Sequence, residues 1–147
     1  MVLPFGDKPK STVLVIDEDR RTADSLAFAL EVSGFRATAA YTGKQAMEFA
    51  AAQSFQFVVC DALAEIKGVK APPVISEVFP DCNVLLMSSS GDSARLIEQS
   101  QTNKYRFDAF AKPVHPALLV ERLRTYASAL GRQKEEIFNV ANRIADK

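Results

Sequence analysis

Apolar runs of strand length alternate along this 147-residue chain with segments that carry apolar residues at helical spacing. Most of the runs are continuously apolar, which is typical of strands covered on both faces of a parallel sheet. The runs are STVLVID, FRATAA, FQFVVCD, NVLLMSSS and DAFAKP. The helical segments that follow them are RTADSLAFALEVSG, YTGKQAMEFAAAQ, residues 74–79, DSARLIEQSQ and PALLVERLRTYASAL. Thr42 is the expected N-terminal cap of the second segment. This alternation predicts an α/β fold, a doubly wound five-stranded parallel sheet with helices on both faces.

The same pattern divides the chain into three segments. Residues 1–10 are expected to be an N-terminal lead-in, and residues 11–130 contain the alternating strands and helices. Residues 131–147 begin with Gly131 and place Ile137, Val140, Ala141 and Ile144 on one helical stripe. We therefore expect a C-terminal helical extension used in self-association, as a homodimer, or in docking. Packing back on the domain and disorder are the alternatives.

Composition narrows the classes of function. Apolar residues make up 48% of the chain, the formal net charge is zero and there is one histidine. This balance argues against nucleic-acid binding by bulk electrostatics, and no apolar run approaches the roughly 20 residues of a membrane span. Cys60 and Cys82 have no partner at metal-ligand spacing, so both are interpreted as reduced thiols of a cytoplasmic protein.

Polar and charged residues collect where the apolar runs end. Asp17, Glu18 and Asp19 follow the first run, Asp61 the third, Ser88 and Ser89 the fourth, and Lys112 the fifth. In open parallel sheets, ligands bind beyond the carboxyl ends of the strands. Clustered carboxylates favour a hard cation such as Mg²⁺, and a lysine with a hydroxyl adds a cradle for a phosphoryl group. The alternative for the first cluster is a cap on the helix that follows.

Four motifs on these strand ends carry a family resemblance: VIDEDR, FVVCDALAEIKG, VLLMSSSGD and AFAKP. Together, and in this order, they resemble the receiver domain of bacterial two-component response regulators, in its stand-alone form, over residues 11–130. The resemblance implies a flavodoxin-like sheet with strand order 2-1-3-4-5. It also implies a signalling phosphoacceptor rather than an enzyme with a separate substrate.

The resemblance assigns roles residue by residue. Asp61 matches the phosphoacceptor, while Asp17 and Glu18 match the acidic pair that holds Mg²⁺. The backbone carbonyl of Leu63 matches a further metal ligand, and Asp61 itself also contributes to the metal site. The metal set implied by the family is thus Asp17, Glu18, Asp61 and the Leu63 carbonyl.

Two more residues complete the implied site. Ser88 matches the hydroxyl residue that senses the phosphoryl group, and Lys112 matches the lysine that pairs with a phosphoryl oxygen. The Lys112–Pro113 bond is expected to be cis, as is usual in the family. The implied partners are a sensor histidine kinase or histidine phosphotransfer protein and a downstream protein, with neither nucleic acid nor membrane bound directly.

The chain departs from the family pattern at two places. Ala64 and Glu65 replace the usual Met-Pro pair after the acceptor, and Ala109 stands where the family has its switch aromatic, with Phe110 next to it. These departures leave a second hypothesis open, a receiver-like docking module that works without phosphorylation. A third hypothesis is a phosphatase of the haloacid dehalogenase type with Asp17 as nucleophile, which lacks a strand after Lys112 to present its further acids.

Overall fold

The computed structural model describes residues 10–145, so nine residues of the expected lead-in lie outside it. In chain order the elements are β1 Thr12–Ile16, α1 Arg20–Val32, β2 Arg36–Ala40, α2 Gly43–Ala52, β3 Phe57–Asp61, β4 Glu65–Ile66, β5 Val69–Lys70, α3 Ile75–Val78, β6 Asn83–Ser88, α4 Gly91–Ser100, β7 Asp108–Ala111 and α5 Pro116–Ala145. The described residues form two compact units that meet in sequence between Val114 and His115. The first contains both sheets and the second is α5.

The main sheet has five parallel strands in the order β2-β1-β3-β6-β7. The short strands β4 and β5 form a separate antiparallel hairpin. Counted among the five strands of the main sheet alone, the order is 2-1-3-4-5, and the predicted fold is confirmed. The continuous apolar runs explain the centre of the sheet, because every residue of 13–16 and 57–60 is fully buried.

Side-chain caps fix where the helices begin. Asp19 accepts hydrogen bonds from the backbone N–H groups of Arg21 and Thr22, so this residue, rather than Asp17, caps α1. Thr42 accepts from the N–H of Gln45 and caps α2 as the sequence predicts. Because each cap lies two or three residues after a strand, the caps keep the loops at the carboxyl edge of the sheet short.

The hairpin packs directly on the start of α2. A β-carbon added at Gly43 would overlap the backbone carbonyl oxygen of Glu65 and lie 3.0 Å from the Cα of Ile66. Both atoms belong to backbone and have little freedom to move away. Glycine at position 43 is therefore required by the close approach of two backbone segments.

We expect Gly43→Ala to destabilise the protein by about 3 kcal/mol, because the added methyl group overpacks against fixed backbone. Gly91→Ala is the matched control, since Gly91 is likewise the first residue of a helix but has open space around its Cα. That variant should be neutral or stabilise by up to about 1 kcal/mol. Urea unfolding of both variants measures the difference, and equal effects would contradict the close contact.

The last helix is continuous. α5 runs from Pro116 to Ala145 and passes through Gly131, so the predicted extension is the second half of α5 rather than a helix of its own. One interior glycine costs a helix only about 1 kcal/mol, which good helix formers on both sides offset. Ile137, Phe138 and Ile144 are exposed on this half. Within residues 10–145, no helix has the length and apolarity needed to span a membrane.

Candidate functional site

The topology brings the predicted polar residues to one edge of the main sheet. Asp17 follows β1, Asp61 ends β3, Ser88 ends β6 and Lys112 follows β7. The backbone N–H of Lys112 donates to the carbonyl of Ser88 at 2.8 Å, which extends the pairing of β7 with β6 to this point. Since all four strands are parallel neighbours, their carboxyl ends lie along one edge and form a single site.

The centre of the site is the Lys112 amine. Its Nζ donates to Oδ2 of Asp17 at 2.7 Å and lies 3.7 Å from Oδ2 of Asp61. The Asp17 side chain is only 1% exposed, and its Oδ1 accepts the backbone N–H of Asp19 at 2.9 Å. A buried carboxylate requires such partners, because an unpaired charge away from water is strongly unfavourable. The lysine therefore holds both carboxylates on one side of the site.

The carboxylates also act on the lysine. Burial by itself would lower the pKa of Lys112, but the hydrogen bond to Asp17 and the negative charges of Asp61 and Asp17 outweigh burial and raise the pKa above its usual value of 10.5. The amine is consequently a cation throughout the neutral pH range. It supplies a fixed positive charge within reach of any anion bound to Asp61.

Asp61 is accessible while Asp17 is not. The Asp61 side chain is 13% exposed, and its Oδ1 accepts the backbone N–H of Leu63 at 3.3 Å. The carbonyl of Leu63 accepts a hydrogen bond from Nζ of Lys70 at 3.1 Å. Asp61 is thus the carboxylate of the pair whose oxygen a ligand can reach.

Ser88 lies at the same edge, but its hydroxyl contacts the start of α4. Ser88 Oγ donates to the carbonyl of Ser90 at 3.0 Å and lies 2.8 Å from Oγ of the fully buried Ser93. Ser90 and Ser93 cap α4 reciprocally, each side chain bonding the backbone N–H of the other. The Ser88 hydroxyl is therefore part of a hydrogen-bonded network with Ser90 and Ser93. The sequence analysis did not predict this network, although Ser-x-x-Ser spacing is typical of a helix cap.

Glu18 is separate from the Asp17–Lys112–Asp61 cluster. Its exposed side chain borders a cavity of about 780 Å³ beside α2 and the hairpin. The other residues that line the cavity are Thr42, Gly43, Lys44, Met47, Glu48, Ala51, Glu65, Lys67 and Gly68. Across residues 10–145, no three His, Cys, Asp or Glu side chains converge as a metal site. The structure brings Asp17 and Asp61 together, and it leaves Glu18 at the rim.

The oxygen atoms nonetheless suit a hard divalent cation. Carboxylate and carbonyl oxygens are the ligands that Mg²⁺ prefers. The Asp17 and Asp61 carboxylates already attract the Lys112 amine. The Leu63 carbonyl likewise accepts a hydrogen bond from the Lys70 amine. The donor set therefore fits a metal ion at this edge.

Three further sequence expectations have structural outcomes. The Lys112–Pro113 bond is cis, as predicted. Ala109 is exposed on β7 and Phe110 is buried, so the position of the family's switch aromatic carries only a methyl group. Cys60 and Cys82 are both free thiols. Burial raises the pKa of each, assisted at Cys60 by the nearby Asp61 carboxylate, and the pKa of Cys82 reaches about 11.

Comparison with known proteins gives one family. Residues 13–124 match the model of the response regulator receiver domain. Among curated proteins, the transcriptional regulatory protein ZraR of Escherichia coli (strain K12) is 29% identical over 103 residues, which cover 69% of this chain and 23% of ZraR. The chain thus spans about a quarter of that relative's length.

Solved structures show the same fold. A response regulator from Thermotoga maritima superposes with a TM-score of 0.65 and 26% identity over 82% of this chain and 99% of that one. A response regulator protein from Burkholderia pseudomallei, solved with a phosphorylated aspartic acid, a calcium ion and citrate, gives a TM-score of 0.61 and 23% identity. That match covers 85% of this chain and 73% of the other.

Proposed function

The chain belongs to the response regulator receiver domain family, and on that premise we propose that it accepts a phosphoryl group on Asp61. The observation that carries the proposal is the placement of one cationic amine between a buried and an accessible carboxylate. Lys112 is bonded to Asp17 and lies 3.7 Å from Asp61 at the open edge of the sheet. The accessible carboxylate has the position of a nucleophile, and the amine has the position of a phosphoryl-oxygen partner.

The proposed reaction moves a phosphoryl group between two side chains. A carboxylate oxygen of Asp61 attacks the phosphorus of a phosphohistidine on a sensor histidine kinase or histidine phosphotransfer protein. The phosphorus–nitrogen bond breaks and its electron pair returns to the imidazole, leaving an aspartyl phosphate. Lys112 balances negative charge on the phosphoryl oxygens, and Asp17 holds the amine in place.

Mg²⁺ is the proposed cofactor. Asp17, Glu18, Asp61 and the Leu63 carbonyl would hold it, and when bound it would neutralise charge on the phosphoryl oxygens. The exposed Glu18 side chain would have to turn from the rim toward the buried Asp17 to take part. The Burkholderia pseudomallei protein, solved with both a phosphorylated aspartic acid and a calcium ion, supports a divalent cation in this fold.

The proposed output is a change in the surface that a downstream protein binds. Ser88 is bonded to the α4 cap, so a hydroxyl drawn to a phosphoryl oxygen would have to leave that cap.

Pairing of two copies through the exposed apolar side chains of the second half of α5 is a further proposed association. We place the protein in the cytoplasm on the strength of its free thiols.

The metal requirement gives the experiment that tests the proposal. Incubation with Mg²⁺ and acetyl phosphate is expected to add one phosphoryl group of about 80 Da, measured by intact mass. EDTA should abolish the gain, because the carboxylate edge would then lack its divalent cation. A small phosphodonor needs no partner protein, so no gain at any Mg²⁺ concentration would contradict phosphoacceptance.

A docking module is the second candidate, and Ala109 favours it. A methyl group at this exposed position of β7 cannot rotate between inward and outward positions as an aromatic ring does. The module would bind its protein partner equally well with and without a phosphoryl group. Equal partner binding by the wild type and Asp61→Asn, with acetyl phosphate present, would support this candidate over the first.

A further inference from the structure

The hairpin after Asp61 carries a lysine back toward the site. β4 and β5 pair through Glu65 with Lys70 and Ile66 with Val69. The two turn residues, Lys67 and Gly68, have positive φ angles of 53° and 80°, which suits a tight turn between antiparallel strands. The amide of Ala71 closes the hairpin by donating to the carbonyl of Ala64 at 2.8 Å. The short turn therefore fixes where Lys70 lies relative to the loop after Asp61.

The amine of Lys70 has two oxygen partners. Its Nζ donates to the carbonyl of Leu63 at 3.1 Å and lies 3.7 Å from Oε1 of Glu65. The Leu63 carbonyl is also the backbone oxygen assigned to the metal in the proposed function. The Leu63 carbonyl oxygen is thus bonded to the Lys70 amine and is also the proposed ligand of Mg²⁺ from solution.

We propose that Lys70 competes with Mg²⁺ for the Leu63 carbonyl and thereby weakens metal binding at the site. The proposal rests on the proposed function, because it assumes that the metal uses this carbonyl. A carbonyl oxygen has two lone pairs, but two cations on the same oxygen repel each other strongly at this separation. Metal binding therefore requires the amine to leave, and Glu65 is close enough to keep it near the hairpin.

The role is one of positioning and not of catalysis. With the amine on Leu63, the hairpin is tied to the loop that follows Asp61. With the metal on Leu63, that tie is released while the backbone bond between Ala71 and Ala64 remains. Lys70 would thus set the Mg²⁺ concentration at which the site becomes ready for phosphoryl transfer, and it would link metal binding to the hairpin.

Isothermal titration calorimetry of Mg²⁺ binding to the full chain tests this role without measuring phosphorylation. Lys70→Met should tighten the Kd by about fivefold or more, a coupling typical of two ligands that exclude each other. Lys70→Arg keeps the charge and should stay close to the wild-type Kd. Lys44→Met is the matched control for net charge, because Lys44 lies by the cavity next to Glu18. Its Kd should change less than about twofold at 0.15 M salt.

The outcomes separate this proposal from the proposed function. An equal Kd for wild type and Lys70→Met would overturn the competition, as would the same tightening in Lys44→Met. Phosphorylation of wild type at Asp61 alongside an unchanged Kd would leave the proposed function intact and overturn only the role of Lys70. Mg²⁺ binding by Lys70→Met alone would be its strongest support, and absence of binding by every variant would overturn both.

Discussion

Replacing Asp61 with asparagine is expected to abolish phosphoryl incorporation, lowering the rate from acetyl phosphate by at least about 100-fold. The amide has nearly the same shape as the carboxylate but is neutral and a poor nucleophile. Lys112 keeps its 2.7 Å bond to Asp17, so the fold around the site should persist. Intact mass over time measures the rate, and circular dichroism checks that the variant is folded.

Asp17→Asn is the informative comparison for this variant. Asp17 is buried and bonded to Lys112, so its loss should slow incorporation without removing the acceptor. A phosphatase with Asp17 as nucleophile would behave in the opposite way and lose the phosphoryl group only in Asp17→Asn. If incorporation survived Asp61→Asn but was lost in Asp17→Asn, the nucleophile would be Asp17 after β1, and its assignment to Asp61 would be wrong.

Lys112→Met is expected to have the second largest effect, lowering the incorporation rate by about 100- to 1,000-fold. The variant keeps the length of the side chain but removes the positive charge that faces the phosphoryl group. It should also destabilise the fold by about 3 kcal/mol, because the buried Asp17 carboxylate loses its cation. Stopped incubations followed by intact mass give the rate, and urea unfolding gives the stability.

Two further lysine variants separate these effects. Lys112→Arg retains a cation near Asp17 and should recover part of the stability, while its larger head group keeps the rate low. Lys104→Met removes an exposed lysine beside Tyr105 and should change neither quantity measurably. If Lys112→Met incorporated phosphate at the wild-type rate, Lys112 would have a structural role only.

The central strands of the sheet could be predicted from the sequence because strands buried on both faces are continuously apolar. The runs at 13–16 and 57–60 are apolar without interruption, and they become the two fully buried strands in the middle of the sheet. Once the strands are known, their carboxyl ends must meet at one edge, which brings Asp17, Asp61 and Lys112 together. Thr42 could be identified as a cap because the rule depends only on neighbouring residues.

The remaining details depend on contacts between segments. The hairpin needs Lys67 at a positive φ, which lysine rarely adopts, so the residue types alone did not predict this turn. The Lys70 contact with Leu63 follows from that hairpin, and the bond between Ser88 and Ser93 follows from the packing of α4. Periodicity predicted α5 only as far as residue 130, because a lone glycine such as Gly131 ends some helices and is tolerated within others.

The most direct measurement is the chemical location of the phosphoryl group. Borohydride reduces an aspartyl phosphate to homoserine, which peptide mass spectrometry reads at a single position. After incubation with Mg²⁺ and acetyl phosphate, we expect homoserine at position 61 of the wild type and nowhere in Asp61→Asn. Homoserine at position 17, or no homoserine in a protein that has gained a phosphoryl group, would contradict this expectation.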